Sequence, residues 1–108
     1  MRLVERFPNA FLETEDCRIQ LRDGISLMAK LWLPAGDHAG KVPTILEVMP
    51  YRKRDAYAMR DSTHHRYFAG HGYACMRLDM RGSGDSDGTQ GVFDFVREQD
   101  DTLDVLAW

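Results

Sequence analysis

The chain has 108 residues, of which 44% are hydrophobic and 29% are charged, with nine Gly and four Pro. This composition is typical of a globular protein and excludes the disordered and collagen-like classes, and the length allows at most one domain. Seventeen acidic and 14 basic residues give a net charge of −3, which argues against a strongly basic nucleic-acid-binding protein and against a polybasic membrane-binding patch.

The N-terminal residues and the cysteines predict a cytoplasmic protein. No apolar run approaches the roughly 20 residues of a membrane span. The chain begins without the apolar segment of a signal peptide, and residues 1–15 are interpreted as an extension or leader. Without such a signal, Cys17 and Cys75 are expected to be reduced core residues rather than a disulfide. No CxxC motif occurs, and neither a metal site nor a cofactor is predicted.

A β-hairpin is predicted over residues 16–34. Apolar and polar residues alternate over residues 17–22, which is the period of a half-buried strand. Asp23 and Gly24 follow, a pair that favours a tight turn because Gly adopts positive φ freely. The returning strand runs over residues 25–33 and is expected to stop at Pro34.

A βαβ unit is predicted over residues 43–79. Residues 44–49 and 73–78 form short, mostly apolar runs, as in parallel strands buried on both faces. Residues 58–71 between them can form a helix, for which Gly72 is a plausible C-cap. The crossover is expected to be right-handed.

A Gly- and Asp-rich loop is predicted over residues 80–96, followed by a helix over residues 97–108. Leu103, Leu106 and Ala107 share one face of that helix. A hairpin, one βαβ unit and one helix leave a parallel sheet incompletely covered, whereas such sheets are normally covered on both faces. We therefore expect an α/β fold that is the N-terminal portion of a larger domain.

Ser86 lies in a Gly-x-Ser-x-Gly match, the sequence of the nucleophile elbow of α/β hydrolases. The elbow needs its Ser directly between a strand and a helix, but the preceding strand is predicted to end near Asp79. All four histidines precede Ser86, whereas the triad of that fold places His last. Ser86 is therefore interpreted as a loop hydroxyl that hydrogen-bonds the local backbone.

The rest of this loop is also interpreted as structural. Its glycines let a tight loop turn over the end of the sheet, and an ion pair between Arg81 and Asp79 is expected to hold it. The residues given this structural role are Asp79, Arg81, Gly82, Gly84, Ser86 and Gly88.

Two further sets of charged or titratable residues do not predict a functional site. His64, His65 and His71 do not predict a metal site, because adjacent helical residues point to different sides and no carboxylate follows His64 or His65 by four residues. They are interpreted as exposed or core-edge side chains. Residues 52–55, Arg-Lys-Arg-Asp, are interpreted as a solvated loop.

Tyr51 lies just beyond the carboxyl end of the predicted strand over residues 44–49. Ligand-binding groups gather at these strand ends in open α/β sheets. A Tyr hydroxyl there can donate a hydrogen bond to a developing oxyanion. The alternative is a Tyr that only packs over the end of the sheet.

Taken together, residues 16–108 resemble the X-Pro dipeptidyl-peptidase-like family of serine hydrolases, which includes cocaine esterases. The resemblance rests on the order and spacing of several short motifs. These are Asp23-Gly24, Leu27, Leu33-Pro34, Pro43, Pro50-Tyr51-Arg52-Lys53, Phe68-Ala69, Gly72-Tyr73-Ala74, the run from Asp79 to Gly88, Glu98, Asp101, Asp104 and Trp108.

The resemblance implies the N-terminal part of an α/β-hydrolase domain that cleaves ester or amide bonds, including X-Pro dipeptidyl bonds. It implies that Tyr51 donates its hydroxyl to the oxyanion hole, and that the Ser, Asp and His of the triad lie beyond residue 108. The 108-residue segment alone would then be inactive. The expected partner is a small ester, amide or peptide substrate, with no nucleic acid, membrane or cofactor, and the sequence does not indicate an oligomeric state.

A second hypothesis is a non-catalytic, degenerate hydrolase fragment. Such a fragment would act as a protein-binding module through the exposed edge of its sheet. It would also lack hydrolase activity, so the two hypotheses differ in whether the gene product continues past Trp108.

Overall fold

A computed structural model describes residues 6–36, 41–91 and 94–108. Parts of the predicted N-terminal extension, of the loop after the hairpin (with His38) and of the Gly- and Asp-rich loop lie outside the described residues. The elements are β1 (Phe11–Gln20), β2 (Ser26–Pro34), β3 (Thr44–Met49), α1 (Ala58–Gly70), β4 (Ala74–Asp79) and α2 (Phe95–Ala107).

The four strands form one mixed sheet in the order β1-β2-β4-β3. Strands β1 and β2 are antiparallel neighbours, which confirms the predicted hairpin. Strands β3 and β4 are parallel and joined through α1, which confirms the predicted βαβ unit. Strand β2 pairs antiparallel with β4 and so joins the hairpin to the βαβ unit. The carboxyl ends of β3 and β4 therefore lie side by side.

The hairpin is longer than the sequence predicts. Strand β1 begins at Phe11, which pairs with Pro34 at the far end of β2. The segment 11–15, expected in an extension, is thus part of the sheet. The turn contains Gly24 with φ of 88°, and the Asp23 side chain accepts the backbone N–H of Ile25 at 3.1 Å.

The core is divided between the two faces of the sheet. The larger cluster lies on the face that packs against α2 and consists of Ile19, Leu21, Leu27, Ala29, Met76, Leu78 and Val105. The smaller cluster lies on the face that packs against α1 and consists of Trp32, Ala69 and Cys75. Side chains alternate between the two faces along each strand. Both cysteines are free thiols, Cys75 buried in β4 and Cys17 half-buried in β1.

Helix α2 begins two residues earlier than predicted, because the Asp94 side chain accepts the N–H of Arg97 and caps it. Its apolar residues do not pack as the face pattern implies. Leu103 and Leu106 are exposed, whereas Val105 is buried against the sheet. Among the described residues, no helix combines the length and the apolar character needed to cross a membrane.

Candidate active site at the carboxyl ends of β3 and β4

Tyr51 lies where the sequence predicts, two residues beyond the end of β3 at the carboxyl edge of the sheet. The residue is 50% exposed. The Tyr51 ring packs on the ring of Tyr57, with centroids 5.2 Å apart, and the Arg60 guanidinium lies 4.7 Å from the Tyr57 ring centroid. This stack supports one side of the Tyr51 ring while the side chain remains accessible at the strand end.

An open groove of about 630 Å³ lies beside the segment that carries Tyr51. Its walls are the end of β3, at Val48 and Pro50, Met80 directly after β4, and α2 residues that include Phe95 and Leu103. The groove therefore opens at the edge of the sheet where ligands bind in α/β folds.

Lys53 is buried, in contrast to the predicted solvated loop over residues 52–55. Its side chain is 0% exposed, and Nζ donates to Asp85 at 2.5 Å and to Asp16 at 2.9 Å. Burial alone would lower the pKa of Lys53, but the hydrogen bonds to Asp85 and Asp16 outweigh it and raise that pKa. Arg52, Arg54 and Asp55 are exposed, as expected.

Asp79 is the last residue of β4 and is 1% exposed. One carboxylate oxygen accepts the backbone N–H of Lys53 at 2.6 Å, and the other accepts the backbone N–H of Asp85 at 2.9 Å. We call Asp79, Lys53 and Asp85 the Asp79 cluster. It joins the segment after β3 to the loop after β4.

Ser86 has both hydrogen-bonding functions of its hydroxyl directed at backbone. Its Oγ donates to the Asp79 carbonyl at 2.6 Å and accepts the N–H of Met28 at 2.8 Å. The next residue, Asp87, donates its N–H to the Ser26 carbonyl. These bonds tie the Gly- and Asp-rich loop to strand β2.

The predicted ion pair between Arg81 and Asp79 is wrong. Arg81 forms a two-pronged pair with Asp101 of α2, at 2.8 and 2.6 Å, and a further pair with Asp23 at 2.7 Å. These acceptors raise the pKa of Arg81, the hydrogen bond to Asp101 most of all. The Asp79 carboxylate instead accepts the backbone N–H groups of Lys53 and Asp85.

Two loop positions require glycine, because a Cβ there would clash with neighbouring atoms and because the backbone φ is positive. Gly82 and Gly84 have φ of 68° and 56°, a region that residues with a Cβ rarely adopt. A Cβ at Gly84 would overlap the Asp79 carboxylate, and one at Gly82 would overlap the backbone of Thr89 and Gln90. The close approach of the loop to Asp79 therefore depends on Gly84.

His65 is buried, at 1% exposure, and is therefore not an exposed side chain, whereas His64 and His71 are exposed. Its ring packs on that of Trp32, with centroids 4.6 Å apart. Its Nε2 lies 3.7 Å from carboxylate oxygens of Asp61 and Glu47. Burial lowers the pKa of His65, although these two carboxylates oppose the shift. The proximity of Asp61 to His65 was not predicted, because Asp61 lies four residues before His65 and not four residues after it.

The same carboxylates could in principle ligate a metal ion, because ligand atoms of Glu47, Asp61 and His65 all lie within 4.8 Å of one another. Arg77 of β4 already donates to Asp61 at 2.7 and 2.8 Å and pairs with Glu47. Arg60 also pairs with both carboxylates. Two guanidinium groups thus neutralise the carboxylates, an arrangement that favours a buried ionic network over a cation site.

The family model described as X-Pro dipeptidyl-peptidase (S15 family) matches residues 23–108. The chain belongs to this family. The matched residues include Tyr51 and the whole Asp79 cluster, so the candidate site of this S15-family chain lies inside the family region. A comparison with curated protein sequences gives no significant match.

Solved structures show that the fold is that of α/β hydrolases. A CocE/NonD family hydrolase from Staphylococcus aureus is 21% identical with a TM-score of 0.71, over 91% of this chain and 20% of that chain. The α/β hydrolase GrgF from Penicillium sp. is 23% identical with a TM-score of 0.68, over 90% and 32%. An α-amino acid ester hydrolase is 25% identical with a TM-score of 0.56, over 84% and 16%. This S15-family chain thus spans between a sixth and a third of these proteins.

Proposed function

We propose that this chain is the N-terminal part of a serine acyl hydrolase and that Tyr51 is an oxyanion-hole donor. The observation that carries the proposal is the position of Tyr51. It lies two residues beyond the end of a parallel strand of an S15-family α/β fold and is exposed at the carboxyl edge of the sheet. The groove beside Pro50 supports it, because a substrate lying there would be next to the Tyr51 segment.

The proposed chemistry is acyl transfer to a serine. A Ser beyond residue 108 attacks the carbonyl carbon of the substrate, with a His as general base oriented by an Asp. As the tetrahedral intermediate forms, negative charge develops on the former carbonyl oxygen. The Tyr51 hydroxyl and a backbone N–H donate hydrogen bonds to that oxygen, and one such donor typically contributes about 10²–10³ in kcat. This mechanism uses no metal ion or cofactor.

The proposed substrates are small esters, amides or peptides, with X-Pro dipeptidyl bonds among them. Membership of the S15 family supports hydrolysis of an acyl bond, and one structural relative is named as an α-amino acid ester hydrolase. The net charge of −3 gives no support for a nucleic-acid or anionic-membrane partner.

Ser86 is proposed to be structural, not nucleophilic. Its hydroxyl donates to one backbone group and accepts from another, so both of its hydrogen bonds are used within the fold. A nucleophilic Ser instead presents its oxygen to a general base and to the substrate.

The proposal is tested on the complete gene product, whose intact mass is measured first and is expected to be well above 12.4 kDa. The protein is then assayed with a p-nitrophenyl ester, labelled with a fluorophosphonate and mapped by peptide analysis. We expect hydrolysis of the ester and a label on a Ser beyond Trp108. The Ser86→Ala variant should be labelled equally. Label on Ser86 would overturn the assignment of the nucleophile. A product that carries no label and hydrolyses no ester would instead support the protein-binding hypothesis, with β1 and β3 as the exposed sheet edges.

A further inference from the structure

The Asp79 cluster links two loops that would otherwise be independent. The Asp79 carboxylate lies at the end of β4, between the backbone of Lys53 after β3 and the backbone of Asp85 in the next loop. Each carboxylate oxygen accepts one N–H, so the side chain acts as a two-sided acceptor. Gly84 makes the approach possible, because a Cβ there would occupy the space of the carboxylate.

A second contact joins the same two loops through side chains. The Lys53 Nζ donates to the Asp85 carboxylate at 2.5 Å and also reaches Asp16 of β1 at 2.9 Å. Lys53 is therefore held by its backbone N–H and by its ammonium group. The Lys53 side chain is fully enclosed, whereas the two carboxylates that accept its hydrogen bonds are partly exposed.

Lys53 follows Tyr51 by two residues, so the position of the Lys53 backbone constrains where the Tyr51 side chain leaves the sheet. The Tyr51 ring itself is contacted on one side by the ring of Tyr57. We infer that Asp79 is a positioning residue for catalysis. By accepting the N–H of Lys53, it fixes the backbone that carries Tyr51 and so keeps the Tyr51 hydroxyl within hydrogen-bond distance of the oxyanion. This inference rests on the proposed role of Tyr51 and assigns Asp79 a function through it.

The competing explanation is that Asp79 only stabilises the fold. In that case the loss of its hydrogen bonds would lower the free energy of unfolding, and its effect on kcat would not depend on Tyr51. A positioning role makes a different prediction, since the effect of Asp79 must disappear when the Tyr51 hydroxyl is absent. Coupling of two mutations in a double-mutant cycle measures this difference.

The experiment compares Asp79→Asn, Tyr51→Phe and the double variant in the complete hydrolase, with kcat expressed per titrated active site. Asn has nearly the shape of Asp but accepts at one oxygen, and its NH₂ group faces one of the two N–H donors. We expect Asp79→Asn to lower kcat by about 10–100-fold, the scale of a misplacement of about 1 Å, with KM changed by less than about 2-fold. In the Tyr51→Phe background the same substitution should change kcat by less than about 3-fold.

Asp101→Asn is the matched control. Asp101 is also a nearly buried carboxylate that holds the Gly- and Asp-rich loop, through Arg81, but it does not contact the Tyr51 segment. We expect this variant to lower the melting temperature and to leave kcat per active site within about 3-fold in both backgrounds. An equal loss of kcat from Asp79→Asn in the wild-type and Tyr51→Phe backgrounds would overturn the positioning role.

If Asp79→Asn does not fold, Asp79→Glu decides on the same readout. This variant keeps a carboxylate but places it one methylene further from the main chain, away from its position beside the Lys53 N–H. It should lower kcat in the wild-type background and not in the Tyr51→Phe background, and an equal loss in both would overturn the inference. Failure of the proposed function is a separate outcome, in which Tyr51→Phe alone keeps more than half of the wild-type kcat.

Discussion

The Asp79 carboxylate accepts the backbone N–H of Lys53 at 2.6 Å, although 26 residues separate the two along the chain. They meet because β3 and β4 are parallel and α1 forms the connection between them. Tyr51 lies two residues before Lys53 on the same segment. The strand ends therefore bring together an exposed candidate donor and the groups that fix its backbone.

The Ser86→Ala variant should separate structural from catalytic use of this hydroxyl. The substitution removes the acceptor of the Met28 N–H and the donor to the Asp79 carbonyl. Leaving such partly buried groups unpaired costs about 1–3 kcal/mol. We expect the free energy of unfolding to fall by that amount in urea denaturation, while kcat stays within about 2-fold of wild type because no reacting atom is touched.

Ser83→Ala is the control for this experiment. Ser83 lies in the same loop, and its hydroxyl has no hydrogen-bond partner among the described residues, so its loss should change neither stability nor kcat. A Ser86→Ala protein that folds as stably as wild type but has lost all activity would contradict the structural role.

His65 predicts a pH dependence of stability. Its pKa in the folded protein is lowered from the ordinary value of 6.5, chiefly by burial. The unfolded chain therefore takes up this proton first as the pH falls. The contribution of His65 to the free energy of unfolding is therefore fully present above about pH 6.5 and is lost as the pH falls below that value. The loss is at most about 1.4 kcal/mol for each pH unit, and it ends when His65 of the folded protein is also protonated.

Urea denaturation at about pH 7.5 and about pH 5.5 measures this effect. The charged groups around the imidazole are Asp61 and Arg60 of α1, Glu47 of β3 and Arg77 of β4, and the Trp32 ring of β2 packs on it. The Asp61 pKa is also lowered, against the effect of burial, by Arg77 and Arg60, so its own contribution is lost only at pH below its ordinary value of 3.8.

The variants His65→Phe and His64→Gln identify the group responsible. Phe keeps the aromatic packing on Trp32 and removes the titration, so the loss of stability between the two pH values should shrink. His64 is the exposed neighbour in α1, and its replacement should leave the loss unchanged. An identical pH dependence in His65→Phe and wild type would assign the effect to another group.

Cys75 should be inert towards thiol reagents in the native protein. Burial raises the pKa of the Cys75 thiol to about 11. At about pH 8 only about one molecule in a thousand would carry the reactive thiolate. In a Cys17→Ser background, we expect a disulfide reagent such as dithionitrobenzoate to modify Cys75 in denaturant and not in native buffer. Equal rates in the two conditions would contradict the burial.

The hairpin and the βαβ unit were predictable because their apolar periodicity is local. The start of β1 was not, because residues 13–16 are all polar and show no alternation of apolar side chains. In the structure their charges are paired by residues far along the chain: Glu13 with Arg66, Glu15 with Lys30, and Asp16 with Lys53. A strand that is stabilised by such ion pairs shows no apolar alternation in its own sequence from which it could be predicted.

In the candidate site, too, only the features that depend on local sequence could be predicted. Tyr51 could be predicted as a candidate because its position follows from the end of one strand and from a family motif. The complete burial of Lys53 and of His65 was not predicted, because burial of a charged or titratable side chain depends on partners from other elements, here Asp85 and Trp32. The ion pair of Arg81 was assigned to the nearest acid in sequence, whereas the packing of α2 brings Asp101 to it.

The most direct test of the proposed oxyanion role is kcat of Tyr51→Phe in the complete gene product, measured beside Tyr57→Phe. The two Tyr rings are in contact, so the pair of variants removes either hydroxyl and preserves the stack. We predict that Tyr51→Phe lowers kcat by about 10²–10³-fold with little change in KM or in melting temperature, and that Tyr57→Phe stays within about 3-fold of wild type. A Tyr51→Phe enzyme that keeps more than half of the wild-type kcat would show that Tyr51 is not the oxyanion donor.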